Sequence, residues 1–439
     1  MGRASAVVLL IALAALSGCG QSNELVTLDR VGRPDAPRTL SFQMNAGYTP
    51  QAAVPEVASK FKQAFADWAR RHPEWKLSLT VIPDSQGPAE QARLLERARV
   101  GTAPDCASVD SFSLPLFIEQ KALVPLDRFF TKAEVDDLLP FVRRTVHGPD
   151  RHLYAWWWNT DLRLIYRNVD LVPEAPETWD ELIASAKAAN EKDAKVDGYL
   201  YNGGRYEGTF FDNLGYFWMQ GGKLLDADGR PVFAEGTDRA AMLKMLAFLR
   251  ETVTSGASPA RVATINDYDV IQQSVEGGSV AMFLGGSFQW PTLQSVLPKE
   301  ELAKWKISPI PGTRPGQTAT GTGGWTVGAL SKDPAKVAAC ASIIKEIYLG
   351  KANEITGELP TSQRLYRSID TFKEPIYQEF RRLLGTGQPR PGLAIYPELS
   401  NQMQIAIGSV LTGSSSPEKA LDAAGERVKQ TWELQKGGT

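Results

Sequence analysis

Histidine is scarce in this chain. Among 439 residues there are three, His72, His147 and His152. A multi-histidine metal centre or histidine-based acid–base catalysis is therefore not expected, and His147 and His152 sit beside a turn as surface residues. No sign of charge is in excess: 48 basic residues face 50 acidic ones, for a net charge of −2. Nothing in that balance attracts a nucleic acid. Long apolar runs are lacking too. One run, residues 7–16, stands near the start, and it is too short to span a bilayer. There is no G-x-x-x-x-G-K-[ST] phosphate loop, so any ATPase the protein works with must be another chain. No tandem repeat is visible.

What is present is a soluble globular composition, 43% hydrophobic and 22% charged. The length favours two domains over one core. Arg3 followed by the apolar run 7–16 has the form of a signal peptide. The run ends in Leu16-Ser17-Gly18-Cys19, which resembles a bacterial lipobox. That resemblance implies a signal peptide over 1–18, a lipid on Cys19, and Cys19 as the first mature residue. Residues 19–38 are polar and read as a flexible tether. The protein is then expected outside the cytoplasmic membrane, anchored by lipid and otherwise soluble. Cys106 and Cys340 remain; an export compartment permits a disulfide, and two buried thiols are the alternative.

Residues 39–44 alternate as a strand and break at Asn45-Ala-Gly-Tyr48. Val54, Val57, Phe61, Phe65 and Trp68 then recur at helical spacing. A second strand at 77–81, a helix at 88–99, a strand at 106–109 and a helix at 114–121 follow. This β-α order predicts a parallel sheet covered by helices. Ligands bind such sheets beyond the strands' carboxyl ends, where Tyr48 and Asp110 lie. Thr178 and Glu181 form a capping box that starts a helix. Residues 202–206 read as a loop open to a ligand, 221–230 as a small hairpin, and 285–290 as a strand-end loop carrying Phe288 and Trp290. A Gly/Thr-rich loop ends in Gly323-Gly324-Trp325, and a second loop, 357–364, ends in Arg364.

Trp156-Trp157-Trp158 stands at the middle of the chain, followed by Asn159-Thr160-Asp161. Side chains alternate along a strand, so three consecutive rings cannot enter one core. Either a ring faces a ligand cavity, where aromatic faces beside Asn and Asp suit a sugar, or the run is a Trp-rich core strand at a domain junction.

Taken in order, several segments resemble the extracellular solute-binding proteins of family 1, the maltodextrin-type sugar-binding components of bacterial ABC importers. They are the lipobox, Pro104-Asp105, Leu123-Val124-Pro125-Leu126-Asp127, Leu164-Ile165-Tyr166 leading to Thr178-Trp179-Asp180-Glu181-Leu182, and Gly221-Gly222-Lys223-Leu224-Leu225. Gly277-Gly278-Ser279-Val280-Ala281-Met282 with Gly285-Gly286, Gly323-Gly324 and Leu359-Pro360 complete the set. The resemblance implies a two-lobed α/β periplasmic-binding-protein fold of type II, with ligand held between lobes and three hinge crossings. Residues 39–157 plus 327–358 would form the first lobe, and 162–323 plus 361–439 the second. By position in the family pattern, the ligand-binding candidates are Trp157, Trp158, Asp161, Tyr206, Phe288, Trp290, Gly324 and Trp325, with Tyr48, Asp110 and Arg364 in addition. Relatives often carry Trp where Phe288 stands, which leaves Phe288 and Trp290 as alternatives for the stacking ring. The function implied is capture of a mono- or oligosaccharide for delivery to a membrane permease with a separate ATPase, by a monomer without cofactor, metal or catalysis. A glycerophosphodiester or polyol ligand on the same fold, using Arg205, Arg364 and the Gly323-Gly324 loop, is one alternative. An exported carbohydrate-active hydrolase working through two carboxylates is another.

Overall fold

The computed structural model describes residues 26–82 and 87–437, so the expected signal peptide and Cys19 lie outside the described residues. In chain order the strands are β1 (Val26–Val31), β2 (Arg38–Asn45), β3 (Trp75–Ile82), β4 (Cys106–Asp110), β5 (Ala155–Trp157), β6 (Asn159–Thr160) and β7 (Arg163–Asn168). They continue as β8 (Asp197–Leu200), β9 (Val280–Gly286), β10 (Trp305–Ser308), β11 (Thr320–Thr322), β12 (Trp325–Ala329), β13 (Leu359–Pro360) and β14 (Gly387–Pro389). One sheet has the order β1-β3-β2-β4-β12-β5, and a second has β10-β7-β9-β8. Each sheet is the centre of its own hydrophobic cluster, so the molecule has two α/β lobes.

The elements follow from local patterns. In β3 the residues Trp75, Leu77, Leu79 and Val81 point into the core while their neighbours are partly exposed, which is period-two alternation. Every residue of β9 is buried, as a central strand covered on both faces requires. The helix Pro55–Arg71 opens with Pro at a position that needs no N–H donor, and buries Phe61, Ala64, Phe65 and Trp68 on one stripe. The helix Trp179–Lys192 carries the expected capping box: the Glu181 N–H donates to Thr178 Oγ1, and the Thr178 N–H donates to Glu181.

Several expectations are corrected. Residues 26–31, read as tether, form β1, which pairs antiparallel with β3. Val26-Thr27-Leu28-Asp29 alternates apolar and polar residues, which fits a strand at a sheet edge. The first sheet is mixed, because β1 and β12 run against the parallel strands β3, β2 and β4. The segment 221–230 makes its small hairpin without regular strands, through one antiparallel bridge between Leu225 and Pro231 in which Asp226 donates to Arg230 O and Val232 to Leu224 O. Residues 361–364, assigned to the second lobe, bond to 137–139: Leu139 donates to Thr361 O, and Gln363 and Arg364 donate to Asp137. Cys106 and Cys340 are joined in a disulfide that links β4 to the helix Pro334–Ile343 within the first lobe.

The chain passes between the lobes where β5 leads through β6 to β7, where β11 leads to β12, and near β13, which pairs with β6. Asn353 fastens this region by donating to Trp158 O and Glu358 O. The functional groups described next are carried on these crossings, on the sheet ends beside them, and on helices packed against them.

Candidate functional site

The carboxyl end of β4 brings Asp110 to the seam between the lobes, and β12 begins opposite it, with Trp325 paired to Asp110 in register. Gly324 makes this start possible. Its φ is +141°, and a Cβ there would lie 2.1 Å from Asn159 O. Asn159 Oδ1 accepts the Trp325 N–H at 2.8 Å, and Asp161 accepts the Gly323 N–H at 2.8 Å. The crossing side chains thus take up the Gly323 and Trp325 amide donors.

From this crossing, β7 starts with Arg163, which is buried among charged and aromatic groups. Its Nε donates to Asp212 at 2.5 Å, and its Nη1 lies 3.0 Å from Asp161. Asp212, on the buried helix Glu207–Trp218, also accepts from Tyr268 at 2.8 Å and from Asn202 at 3.1 Å. The Arg163 guanidinium carbon lies 4.1 Å from the Phe211 ring centre and 5.6 Å from that of Phe288. Asp161, Tyr268 and Asp212 outweigh burial and hold Arg163 well above its ordinary pKa, so it is a permanent cation. Burial raises the Tyr206 and Tyr268 hydroxyls, which therefore stay protonated donors.

A second arginine lies in the same seam. Arg390 follows β14, Nη2 lies 2.9 Å from Asp110, and Nη1 lies 3.1 Å from Glu207. Its guanidinium carbon is 4.4 Å from the Phe112 ring centre and 4.1 Å from that of Phe211. Glu207 is held in turn by the hydroxyls of Tyr396 at 2.8 Å and Ser400. Burial pushes the Asp110 carboxyl up to about 6; Arg390 opposes the rise, and Glu207 and Asp161 add to it. Aromatic rings with carboxylates, guanidiniums and hydroxyls at their edges can stack on an apolar ring face while exchanging hydrogen bonds with the groups at its rim. No group of three or more His, Cys, Asp or Glu side chains that could hold a metal occurs among the described residues.

The sequence model of the family described as bacterial extracellular solute-binding protein matches residues 52–343. The chain belongs to this family. Among curated proteins it is similar to the galactooligosaccharide-binding protein of Bacillus subtilis strain 168, with 21% identity over 392 residues, 85% of this chain and 87% of the relative. Among solved structures, a Thermotoga lettingae ABC-transporter solute-binding protein bound to alpha-D-tagatose superposes with a TM-score of 0.75 at 22% identity, covering 90% of this chain and 99% of the other. Maltose-bound MalE3 of T. maritima gives 0.74 at 24% identity, with the same two shares. These likenesses show a shared two-lobed fold.

In this solute-binding protein the expected site residues separate into two groups. Asp110, Asp161, Tyr206, Phe288, Gly324 and Trp325 lie in or beside the seam network. The tryptophan run borders the network through its backbone, where the Trp158 N–H donates to Trp325 O at 3.2 Å, but its rings are packed inside the first lobe. Trp156 stacks on Phe130 at 4.7 Å, Trp157 meets Phe141 edge-on at 5.6 Å and donates to Asn159 O, and Trp158 lies between Tyr48 and Tyr348. All three rings are at most 2% exposed. Layers on both sides of β5 cover its alternating faces, so Trp157 and Trp158 are core residues of the first lobe. Trp290 is also corrected: it sits in the helix Gln289–Val296 and packs in the second lobe's core, leaving Phe288 as the ring near Arg163. Arg364 is exposed and faces Asp137, away from the seam. Tyr48 donates to Glu358 at the crossing and belongs to the hinge.

Arg163, Glu207, Asp212, Phe112, Phe211, Tyr268, Arg390 and Tyr396 were not expected. For Arg163 a signal existed: it stands two residues after Asp161 in a run of apolar strand residues, where a charge is buried and needs a partner. For Arg390, within Gln388-Pro389-Arg390-Pro391, no periodicity marks the position.

Proposed function

We propose that this protein captures a carbohydrate between its two lobes and delivers it to an ABC permease driven by a separate ATPase subunit. The observation that carries the reading is the composition of the seam. Phe112, Phe211, Phe288 and Trp325 lie among Asp110, Asp161, Glu207, Arg163, Tyr206 and Tyr268, and separating the lobes would break the Arg390–Asp110 pair and open these rings and hydrogen-bonding groups to a ligand. Sugar C–H faces stack on aromatic rings, and a site built to pair hydroxyls rejects ligands that lack them. The tagatose, maltose and galactooligosaccharide named for its relatives support the same ligand class. Ligand that touches both lobes favours the closed arrangement by its higher affinity for it, which is how hinge closure works in proteins of this kind. A lipid on Cys19 would keep the protein at the outer face of the membrane, beside its permease, and the protein would act as a monomer without cofactor.

A phosphodiester finds little to bind. Arg163 keeps its two carboxylates and Arg390 keeps Glu207 when the lobes part, Arg205 faces Asn401, Arg364 faces Asp137, and the Gly323 and Trp325 amides donate to Asp161 and Asn159. The carboxylates serve as partners of arginines, which supports binding over hydrolysis.

The test is a thermal-shift screen of the chain from Gly20 onward against mono-, di- and oligosaccharides, polyols and glycerophosphodiesters. Calorimetry and analysis of the recovered ligand follow. The reading expects a sugar that binds at micromolar concentration or tighter, returns intact, and binds at least about tenfold more weakly to Trp325→Ala. A hydrolysed sugar, or a shift with phosphodiesters alone, overturns it.

A further inference from the structure

Arg390 belongs to the second lobe by its backbone. The strand just before it, β14, pairs with β11, and Ile395 and Tyr396 just beyond it pack in that lobe's core. Its side chain nevertheless reaches the first lobe. The side chain is 5% exposed and stands between Asp110 of one lobe and Glu207 and Phe211 of the other, against Phe112, which follows β4 but packs on Tyr396 in the second lobe's core. The same segment touches the first lobe again at Gly392, where an added Cβ would lie 2.2 Å from Pro115 Cγ. The charged and titratable groups facing the guanidinium are Asp110, Glu207, Tyr396 and Asp161.

We propose that Arg390 is the positioning residue that closes the cleft: it allows Asp110 and Glu207, like charges on opposite lobes, to be buried together. A planar guanidinium can fork between two carboxylates and stack on two rings at once, which an ammonium cannot. The value of such a group lies less in the ion pairs themselves than in what its removal leaves behind. Two stranded carboxylates in a buried seam oppose closure by an amount that changes the closed-to-open ratio more than about a hundredfold. Separation of the lobes hydrates both carboxylates and removes the penalty, so the loss falls on closure rather than on either lobe's own fold.

The inference rests on the two-lobed binding reading only in requiring that the lobes separate and that the ligand-free chain populates the closed arrangement in which Arg390 meets Asp110. Its measurement needs no sugar, so a failed ligand screen and a failed closing residue are different results. Small-angle X-ray scattering would be recorded on the chain from Gly20 onward, as wild type, R390Q and D110N/R390Q. The expected result is a larger radius of gyration for R390Q and a return toward the wild-type value in the double variant, whose neutral amides no longer strand a charge on the first lobe. A residue that merely supported the second lobe would not be rescued by a change on the first. Wild-type dimensions for R390Q, or a double variant as open as R390Q, would overturn the proposal. Should R390Q not fold, R390K carries the test: it keeps the charge without the fork, so the proposal requires opening, and wild-type dimensions again overturn it.

Discussion

Arg390 Nη2 lies 2.9 Å from Asp110 Oδ1, and the two residues reach that contact from different lobes. Their sequence positions are 280 residues apart. The ion pair therefore records how the two halves of the molecule are set against one another, and the chemistry of the cleft follows from it. The carboxylate at the end of β4 is satisfied by the other lobe.

Asp110 makes the stability of the closed, folded form depend on pH in an identifiable direction, since the carboxylate is hydrated both in the unfolded chain and when the lobes part. Burial raises its folded pKa to about 6 from an ordinary value of 3.8, so the folded chain holds this proton more tightly than the unfolded chain. Its favourable contribution is complete below about pH 4 and is lost as pH rises through 6. At about 1.4 kcal/mol per pH unit, the full change is roughly 3 kcal/mol. D110N should not show it. Melting curves of both proteins between pH 4.5 and 7.5 should show the wild type losing stability relative to D110N as pH rises; a constant difference would refute the assignment.

Arg163→Met should destabilise the second lobe by about 3–5 kcal/mol, because it leaves Asp212 buried with no cation beside it. Urea unfolding measures this directly. The double variant R163M/D212N should recover part of the loss, since the coupled pair is removed together.

Gly324→Ala should cost about 1–3 kcal/mol, from a backbone at φ +141° and a Cβ only 2.1 Å from Asn159 O. The strain falls on the crossing between β11 and β12, so the same variant should weaken sugar binding. An unchanged melting temperature would show that the crossing relaxes freely.

The disulfide between Cys106 and Cys340 spans 234 residues of sequence. Replacing both cysteines by Ser should lower stability by about 2–5 kcal/mol, mostly through a less constrained unfolded chain. Thiol titration of the unreduced chain from Gly20 onward should find no free cysteine.

Much of the lobe architecture was legible because it rests on local rules. The alternation in β3, the stripe on the helix Pro55–Arg71 and the Thr178–Glu181 capping box depend on neighbours within a few residues, and each is found. Asp110, at a predicted strand end, was likewise placed where it is found. The tryptophan run misled, because alternation tells which rings point to opposite faces and not what covers those faces. Phe130 and Phe141 cover them, and both come from segments outside β5.

The sequence alone determined the α/β alternation of the first lobe and the Gly/Thr-rich loop ending at Gly323-Gly324, and its resemblance to family 1 solute-binding proteins carried the two-lobed class, while β1, β6, β14 and the helix Gln289–Val296 were not read from it. Periodicity, caps and glycine conformations are short-range effects that any matching segment shows. Only the tertiary structure decided which charges meet. Arg390 finds Asp110 and Glu207, and Arg163 finds Asp212, through long-range packing that gathers distant segments at one seam. A buried charge requires a partner, but the energy that enforces the pairing is indifferent to sequence distance, so no local pattern names the partner.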